Sequence, residues 1–213
     1  MANFKTHISA GIVASCIAGP VCYFAGYIGS IGQMLFAIFL LVIGSILPDI
    51  DARNSMPTKI LKRVLPFFVV LMLIAKTSVL TSSSNFNHQM LLCLMVFLGA
   101  RYFLPIIWLR LTYHRGIVHS VPMGVLIYLL LSYWLINIGN SLFVSFVLGG
   151  FLLSGFLLHL ILDEIYSVDI YQNRIKRSFG TALQIFSFSS PLKYLFLYGL
   201  NFYVYFYLIR GIV

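Results

Sequence analysis

Ten side chains in this sequence carry the carboxylate and imidazole groups on which metal and acid–base chemistry depends. There are five acidic residues and five histidines among 213 residues. Imidazole and carboxylate together suit zinc, and they also suit manganese or iron. The chain therefore holds enough donors for one or two divalent metal ions. These donors are Asp49, Asp51, Asp163, Glu164, Asp169, His7, His88, His114, His119 and His159.

Two local spacings, each involving an aspartate, favour metal ligation. His159 and Asp163 are separated by one helical turn, so in a helix both side chains project from the same face. Asp49 and Asp51 follow Pro48, where an extended or turn backbone would direct alternate side chains to one side. Each spacing also has a plain structural explanation, as a hydrogen bond within a helix or as solvated turn residues.

A third spacing brings two more histidines near each other. His114 and His119 enclose Gly116, and a glycine permits a tight turn through which the two imidazoles would converge. The alternative is a basic loop at the membrane interface, since Arg115 lies beside His114. None of the three patterns identifies a metal site by itself.

The composition indicates that lipid is the main solvent of this chain. Apolar residues make up 61% and charged residues 9% of the sequence, with a mean hydropathy of +0.98. Soluble domains are about 25% charged. Apolar runs of about twenty residues recur, and each is long enough to cross a bilayer. We predict an all-α polytopic membrane bundle, formed by residues 1–213 as a single integral membrane domain. Its six to seven transmembrane helices are expected near 8–28, 31–47, 64–81, 89–109, 120–138, 142–162 and 192–209.

The net charge of +9 predicts an orientation in the membrane. Lys and Arg concentrate in the segments 48–63, 110–119 and 163–193, while the connections 29–30 and 139–141 carry no charge. By the positive-inside rule the basic segments and the N-terminus are cytoplasmic. Because the cations mark helix connections in this way, the charge does not indicate a nucleic-acid partner.

The acids and histidines fall on one side of this topology, although only Lys and Arg defined it. Nine of the ten are expected near the cytoplasmic face, and only His88 is expected on the other. Ionisable groups at membrane sites are usually functional, because burying them unpaired is expensive. We therefore predict a metal site at the cytoplasmic ends of the helices.

A weak internal repeat suggests how this site is built. His7 opens a predicted helical hairpin that ends in Asp49 and Asp51, and His119 opens another that ends in Asp163 and Glu164. We hypothesise that the two hairpins pack together and hold the metal between them.

Five motifs together resemble the YdjM-like family of bacterial membrane-bound metal-dependent hydrolases. They are Thr6-His7 before a helix of small residues, Gly44-Ser-Ile-Leu-Pro-Asp-Ile-Asp51, His114-Arg-Gly-Ile-Val-His-Ser120, Gly155-x3-His159-x3-Asp163 and Arg177-Ser-Phe-Gly-Thr181. The resemblance implies metal-dependent hydrolysis in the bacterial inner membrane. A more distant similarity to zinc-dependent phospholipase C and P1 nuclease implies a zinc cluster held by His, Asp and Glu.

The leading hypothesis is hydrolysis of a phosphoester in a lipid or lipid-linked substrate at the cytoplasmic interface. The metal, most simply zinc, would activate a water molecule. Asp51 or Glu164 would act as general base. The groups expected to contact the substrate are Lys5, Arg53, Arg115, Ser178 and Thr181. The expected metal ligands are His7, Asp49, Asp51, His114, His119, His159 and Asp163.

Three other functions stay open on the sequence alone. Amide or ester hydrolysis uses similar ligands. A metal or proton transporter would place its ionisable groups on broken helices near the bilayer midplane. A non-catalytic membrane protein with a structural metal would have a closed shell of ligands, whereas an enzyme keeps one position open.

Overall fold

Helices account for almost all of the regular structure in this chain. The computed structural model describes residues 3–51, 55–76, 86–103, 116–169, 174–175, 180 and 183–210. Within these ranges the chain forms seven α-helices, which confirms the predicted helical class. They are α1 (Phe4–Phe24), α2 (Ile31–Gly44), α3 (Met56–Lys76), α4 (Phe86–Leu98), α5 (Val121–Asn137), α6 (Leu142–Ile165) and α7 (Pro191–Arg210).

Short segments complete the described structure. Two 3₁₀ helices, Leu47–Asp51 and Ile117–His119, precede α3 and α5, and a π-helical turn at Gly99–Phe103 continues α4. After α6, strand β1 (Val168–Asp169) pairs antiparallel with β2 (Arg174–Ile175). This two-residue ladder is a minor exception to the helical class.

Polar caps fix where three of the helices begin. The side chain of Asn3 accepts a hydrogen bond from the Thr6 N–H at 2.8 Å, and Ser30 and Ser141 cap α2 and α6 in the same way. These caps satisfy backbone donors that the first turn leaves unpaired. Because α1 begins at Phe4 and not near residue 8 as predicted, its first turn includes His7.

The described helices fall into two compact units. One unit comprises Met1–Pro48 and His114–Val213, and the other comprises Asp49–Tyr113. In the first unit α2 packs against both α1 and α6, α6 also packs against α5, and α5 packs against α7. Its core is apolar and includes Ala37, Leu40, Leu41, Leu135, Leu148, Phe151 and Leu152.

The crossing of α2 and α6 brings two main chains into direct contact. A Cβ atom on Gly155 would lie 2.9 Å from the Ser45 nitrogen and closer still to the Leu41 carbonyl oxygen. A Cβ atom on Gly44 would lie 3.0 Å from the Phe156 nitrogen. Small residues at such crossings let membrane helices approach closely without a hydrophobic driving force between them.

A glycine also faces a neighbouring helix inside each hairpin of the first unit, where it contacts a side chain. Gly11 of α1 faces Ser45, the residue after Gly44, and Gly124 of α5 faces Phe156, the residue after Gly155. The α1–α2 and α5–α6 hairpins therefore share a packing pattern, and they meet at α2 and α6. This is the juxtaposition of hairpins that the internal repeat suggested.

The second unit contains α3 and α4. The guanidinium of Arg101 donates a hydrogen bond to the Lys62 carbonyl oxygen at 2.6 Å and joins the two helices. Because α3 begins at Met56, the cations Lys59, Lys62 and Arg63 lie on a helix. The prediction that residues 48–63 form a loop was therefore wrong from Met56 onward.

Helix length supports a membrane location without confirming six to seven spans. Among the described residues, only Phe4–Phe24 and Leu142–Ile165 are long and apolar enough to cross a membrane. The helices Ile31–Gly44, Met90–Phe103 and Val121–Asn137 are apolar but shorter. Fourteen residues extend about 21 Å, less than the roughly 30 Å of a hydrocarbon core. The number of spans therefore stays a prediction.

Candidate metal centre

Three histidines and one aspartate meet inside the first unit, and we call them the His–Asp cluster: His7, His119, His159 and Asp163. Their side chains are at most 1% exposed. His7 lies in the first turn of α1, His119 ends the 3₁₀ helix just before α5, and the other two lie near the end of α6. All four come from helix ends, and the sequence had predicted each of them as a ligand.

The carboxylate of Asp163 links two of the imidazoles. Its Oδ1 is 3.4 Å from Nε2 of His7, and its Oδ2 is 3.5 Å from Nε2 of His119. The ring of His159 stacks on that of His7 and meets that of His119 edge to face, with centroids 5.1 Å apart. The four side chains therefore lie against one another in one buried polar cluster.

The local backbone explains how His119 reaches this cluster. Its N–H donates to the Gly116 carbonyl oxygen at 3.0 Å and closes a 3₁₀ turn. Gly116 itself has φ −80° and ψ −156°, an extended conformation open to any residue, so this turn does not require a glycine. The predicted convergence of His119 with His114 lies outside the described residues. A segment distant in the chain fixes the residues that follow His119, because the Val121 N–H donates to the Gln184 carbonyl oxygen at 3.0 Å.

The spacing of the donor atoms fits a divalent metal. Zinc bonds to imidazole nitrogen and carboxylate oxygen are about 2.0–2.2 Å, so ligand atoms on a tetrahedron around zinc are about 3.3–3.6 Å apart. The distances of 3.4 Å from Asp163 Oδ1 to His7 and 3.5 Å from Oδ2 to His119 each fall within that range. His119, His159 and Asp163 each offer a ligand atom within 4.8 Å of the other two. Three imidazoles and a carboxylate also suit manganese or iron.

One contact at the cluster was missed by the sequence analysis. Nδ1 of His159 lies 2.8 Å from the Ser45 carbonyl oxygen at the end of α2. Gly44 and Gly155 lie in the motifs that carried the family resemblance, but nothing in the local pattern indicated that they bring this carbonyl to the imidazole.

The two acids after α2 belong to the second unit. Asp49 is half-buried in the 3₁₀ helix Leu47–Asp51, and its carbonyl oxygen accepts a hydrogen bond from the Ser55 hydroxyl at 2.7 Å. The sequence predicted an extended or turn backbone after Pro48. The extended alternative was wrong, and a 3₁₀ helix does not direct alternate side chains to one side. Asp49 and Asp51 remain predicted ligands.

Glu164 follows a member of the cluster but has a partner elsewhere. Its carboxylate accepts a hydrogen bond from the backbone N–H of Gly180, which has a φ of +79°. Lys5 is exposed in the first turn of α1. The other predicted ligand and substrate-binding residues lie outside the described residues: Arg53, His114, Arg115, Ser178 and Thr181.

The fold and the cluster define a class, namely helical membrane proteins with a buried candidate metal centre at helix ends. Residues 1–172 match the family of the YdjM inner membrane protein, and the chain belongs to that family. Membership supports a location in the inner membrane. No curated protein and no solved structure matches the chain.

Proposed function

We propose that this protein is an inner-membrane metal-dependent hydrolase that cleaves a phosphoester of a lipid or lipid-linked substrate. The observation that carries the proposal is the convergence of His7, His119, His159 and Asp163 in one buried cluster. Buried imidazoles and carboxylates are expensive to desolvate unless they pair with each other or bind a metal. Here three elements that are distant in the chain supply three imidazoles and one carboxylate to the same cluster, and His119, His159 and Asp163 each offer a ligand atom within 4.8 Å of the other two.

The ligands in this proposal are the four members of the His–Asp cluster, with zinc as the simplest ion and manganese or iron as alternatives. The bound ion would supply Lewis acidity and an activated water. Asp163 would keep His7 and His119 in place, since it contacts both. Asp51 or Glu164 is the proposed general base, and Lys5 would offset negative charge on the substrate.

The position of the cluster supports surface chemistry more than transport. Transporters bind their cargo near the bilayer midplane on discontinuous helices. Here His7 lies in the first turn of α1, and Asp163 lies in the last turn of α6. With six to seven spans and a cytoplasmic N-terminus, as the basic segments predict, these helix ends would face the cytoplasm.

A lipid substrate is supported by the surface of the helices. Large apolar side chains are exposed along α1 and α7, including Phe24 at 85% and Leu192 at 79%. A patch of this kind marks contact with membrane or protein. A phosphoester embedded in the bilayer would reach a site at helix ends without leaving the lipid phase.

The proposal is tested with protein purified without added metal and reconstituted in nanodiscs. Elemental analysis is expected to find stoichiometric zinc, manganese or iron, and a panel of phospholipids and lipid-linked phosphoesters is expected to reveal a turned-over substrate. Asp163→Asn, which keeps the shape of the side chain, should abolish that turnover. Absence of bound metal in the wild type would rule out the proposal.

A structural metal is the second candidate, and the burial of the cluster favours it. All four side chains are at most 1% exposed, and structural metal sites are closed whereas catalytic sites keep an open position. In that case removal of the metal should lower the melting temperature, while no substrate of the panel is hydrolysed in its presence.

A further inference from the structure

One member of the His–Asp cluster is held by a main-chain group from another helix. Nδ1 of His159 lies 2.8 Å from the Ser45 carbonyl oxygen, and both groups are buried. A carbonyl oxygen only accepts hydrogen bonds, so the imidazole must donate from Nδ1. A neutral imidazole protonated on Nδ1 carries its lone pair on Nε2.

The carbonyl of Ser45 is available because α2 ends there. The last carbonyls of a helix have no partner within it, and α2 ends at Gly44 before the chain turns into a 3₁₀ helix. The end of a helix also carries partial negative charge, which favours a donor at this position. His159 therefore donates to a buried carbonyl oxygen at the end of α2.

The glycine crossing determines how close this carbonyl comes. Gly155 and His159 are one turn apart on the same face of α6. A Cβ at Gly155 would lie 2.9 Å from the Ser45 nitrogen, so any larger residue would push the end of α2 away. The main chain of Ser45 and the ring of His159 are thus brought together by the same contact.

We propose that the Gly44–Gly155 crossing is a positioning device, which places the Ser45 carbonyl against His159 and so makes Nε2 its metal-binding atom. Partners that orient ligating histidines are worth about 10–100-fold in metal affinity. The inference rests on the proposed function in one respect, namely that a metal occupies the cluster. The hydrogen bond and the tautomer belong to the metal-free protein as well.

The first test is histidine-selective ¹⁵N labelling, which is practical because the chain has only five histidines. In metal-free protein the His159 signal, assigned with His159→Asn, should show a protonated Nδ1. Gly155→Ala should shift it toward the Nε2-protonated or an averaged form and weaken zinc binding by about tenfold or more. Gly150→Ala is the matched control, because a Cβ at Gly150 meets nothing within 4 Å.

This readout separates the two proposals. Wild-type protein that binds no metal but shows protonated Nδ1 would overturn the proposed function and retain the tautomer assignment. Protonated Nε2 in the metal-free wild type, or zinc bound through Nδ1, would overturn the positioning role even if metal is present. Equal effects of Gly155→Ala and Gly150→Ala would overturn the role of the crossing.

If Gly155→Ala does not fold, a second pair of variants tests the hydrogen bond between His159 and the Ser45 carbonyl. The amide nitrogen of an asparagine takes the place of Nδ1, and that of a glutamine takes the place of Nε2. His159→Asn and His159→Gln should both lose metal, but only His159→Gln should lower the melting temperature of the metal-free protein, by about 2–4 °C. A lower melting temperature for His159→Asn than for His159→Gln would contradict the Ser45 hydrogen bond.

Discussion

The imidazole rings of His7 and His159 lie face to face, with centroids 3.7 Å apart and planes inclined by 14°. The contact joins the first turn of α1 to the end of α6. Two cationic rings at this separation in a buried site would repel each other strongly. The stacking therefore argues against both rings being cationic at once, and neutral imidazole is the form that binds metal.

Loss of one ligand should strongly reduce metal binding by the His–Asp cluster. His119 Nε2 and Asp163 Oδ2 lie 3.5 Å apart, and His119→Ala and Asp163→Ala each remove one of these two ligand atoms. Each substitution is expected to reduce metal occupancy by about tenfold or more. Elemental analysis of variants purified side by side with the wild type provides the measurement. His88→Ala in α4 is the control, since that histidine was predicted to lie on the opposite face.

The opposite result would be informative about the cluster. If both variants keep wild-type metal content while His88→Ala loses it, the ion is bound elsewhere in the chain. The buried imidazoles would then be a hydrogen-bonded network, not a ligand set.

Gly44 should not tolerate a side chain. Because a Cβ there would lie 3.0 Å from the Phe156 nitrogen, Gly44→Ala must displace backbone, and we expect a loss of about 1–3 kcal/mol. Gly150→Ala meets no neighbour and should be neutral or stabilising by about 0.5–1 kcal/mol. Thermal unfolding after treatment with chelator measures both, because metal then makes no contribution. Similar melting temperatures for the two variants would contradict the close crossing.

The helices themselves were largely predictable, because lipid demands long apolar runs that are visible in the sequence. The residues at which the helices begin were less predictable. The apolar run of α1 marks only the lipid-facing part, whereas the capping Asn3 sets its first turn. In the same way α3 extends over Lys59 and Arg63, which hydropathy assigns to a loop.

The cluster was predictable in part, for a physical reason. That His159 and Asp163 share a face follows from helical periodicity alone. That His7 and His119 reach the same carboxylate depends on how two hairpins cross, and that crossing is fixed by main-chain contacts at Gly155. Such contacts join residues distant in the chain, so no local sequence pattern predicts them.

Glu164 should hold the segment after β2 in place. Its carboxylate accepts the Gly180 N–H, and the trypsin sites Lys176 and Arg177 precede that glycine. Glu164→Ala removes the acceptor, and a hydrogen bond of about 1 kcal/mol predicts roughly fivefold faster cleavage there. Glu164→Gln keeps an acceptor oxygen and should be cleaved by trypsin at the wild-type rate, and both variants should keep their metal.

This pair also tests the second role proposed for Glu164. If it is the general base, Glu164→Gln should lose lipid turnover with metal content unchanged, because an amide does not take up a proton. Equally fast trypsin cleavage of the two variants would show that the bond to Gly180 does not secure the segment.

The direction of the helices in the membrane should follow the basic segments. In a chain whose three native cysteines are replaced, single cysteines at exposed Gly29 and Asn137 are expected to react with an impermeant maleimide in spheroplasts. Cysteines at exposed Lys59 and Lys193 should react only after lysis, because positively charged connections stay in the cytoplasm. The reverse pattern would place the N-terminus and the His–Asp cluster outside the cytoplasm. Labelling of all four positions from one side would show that the helices between them do not cross.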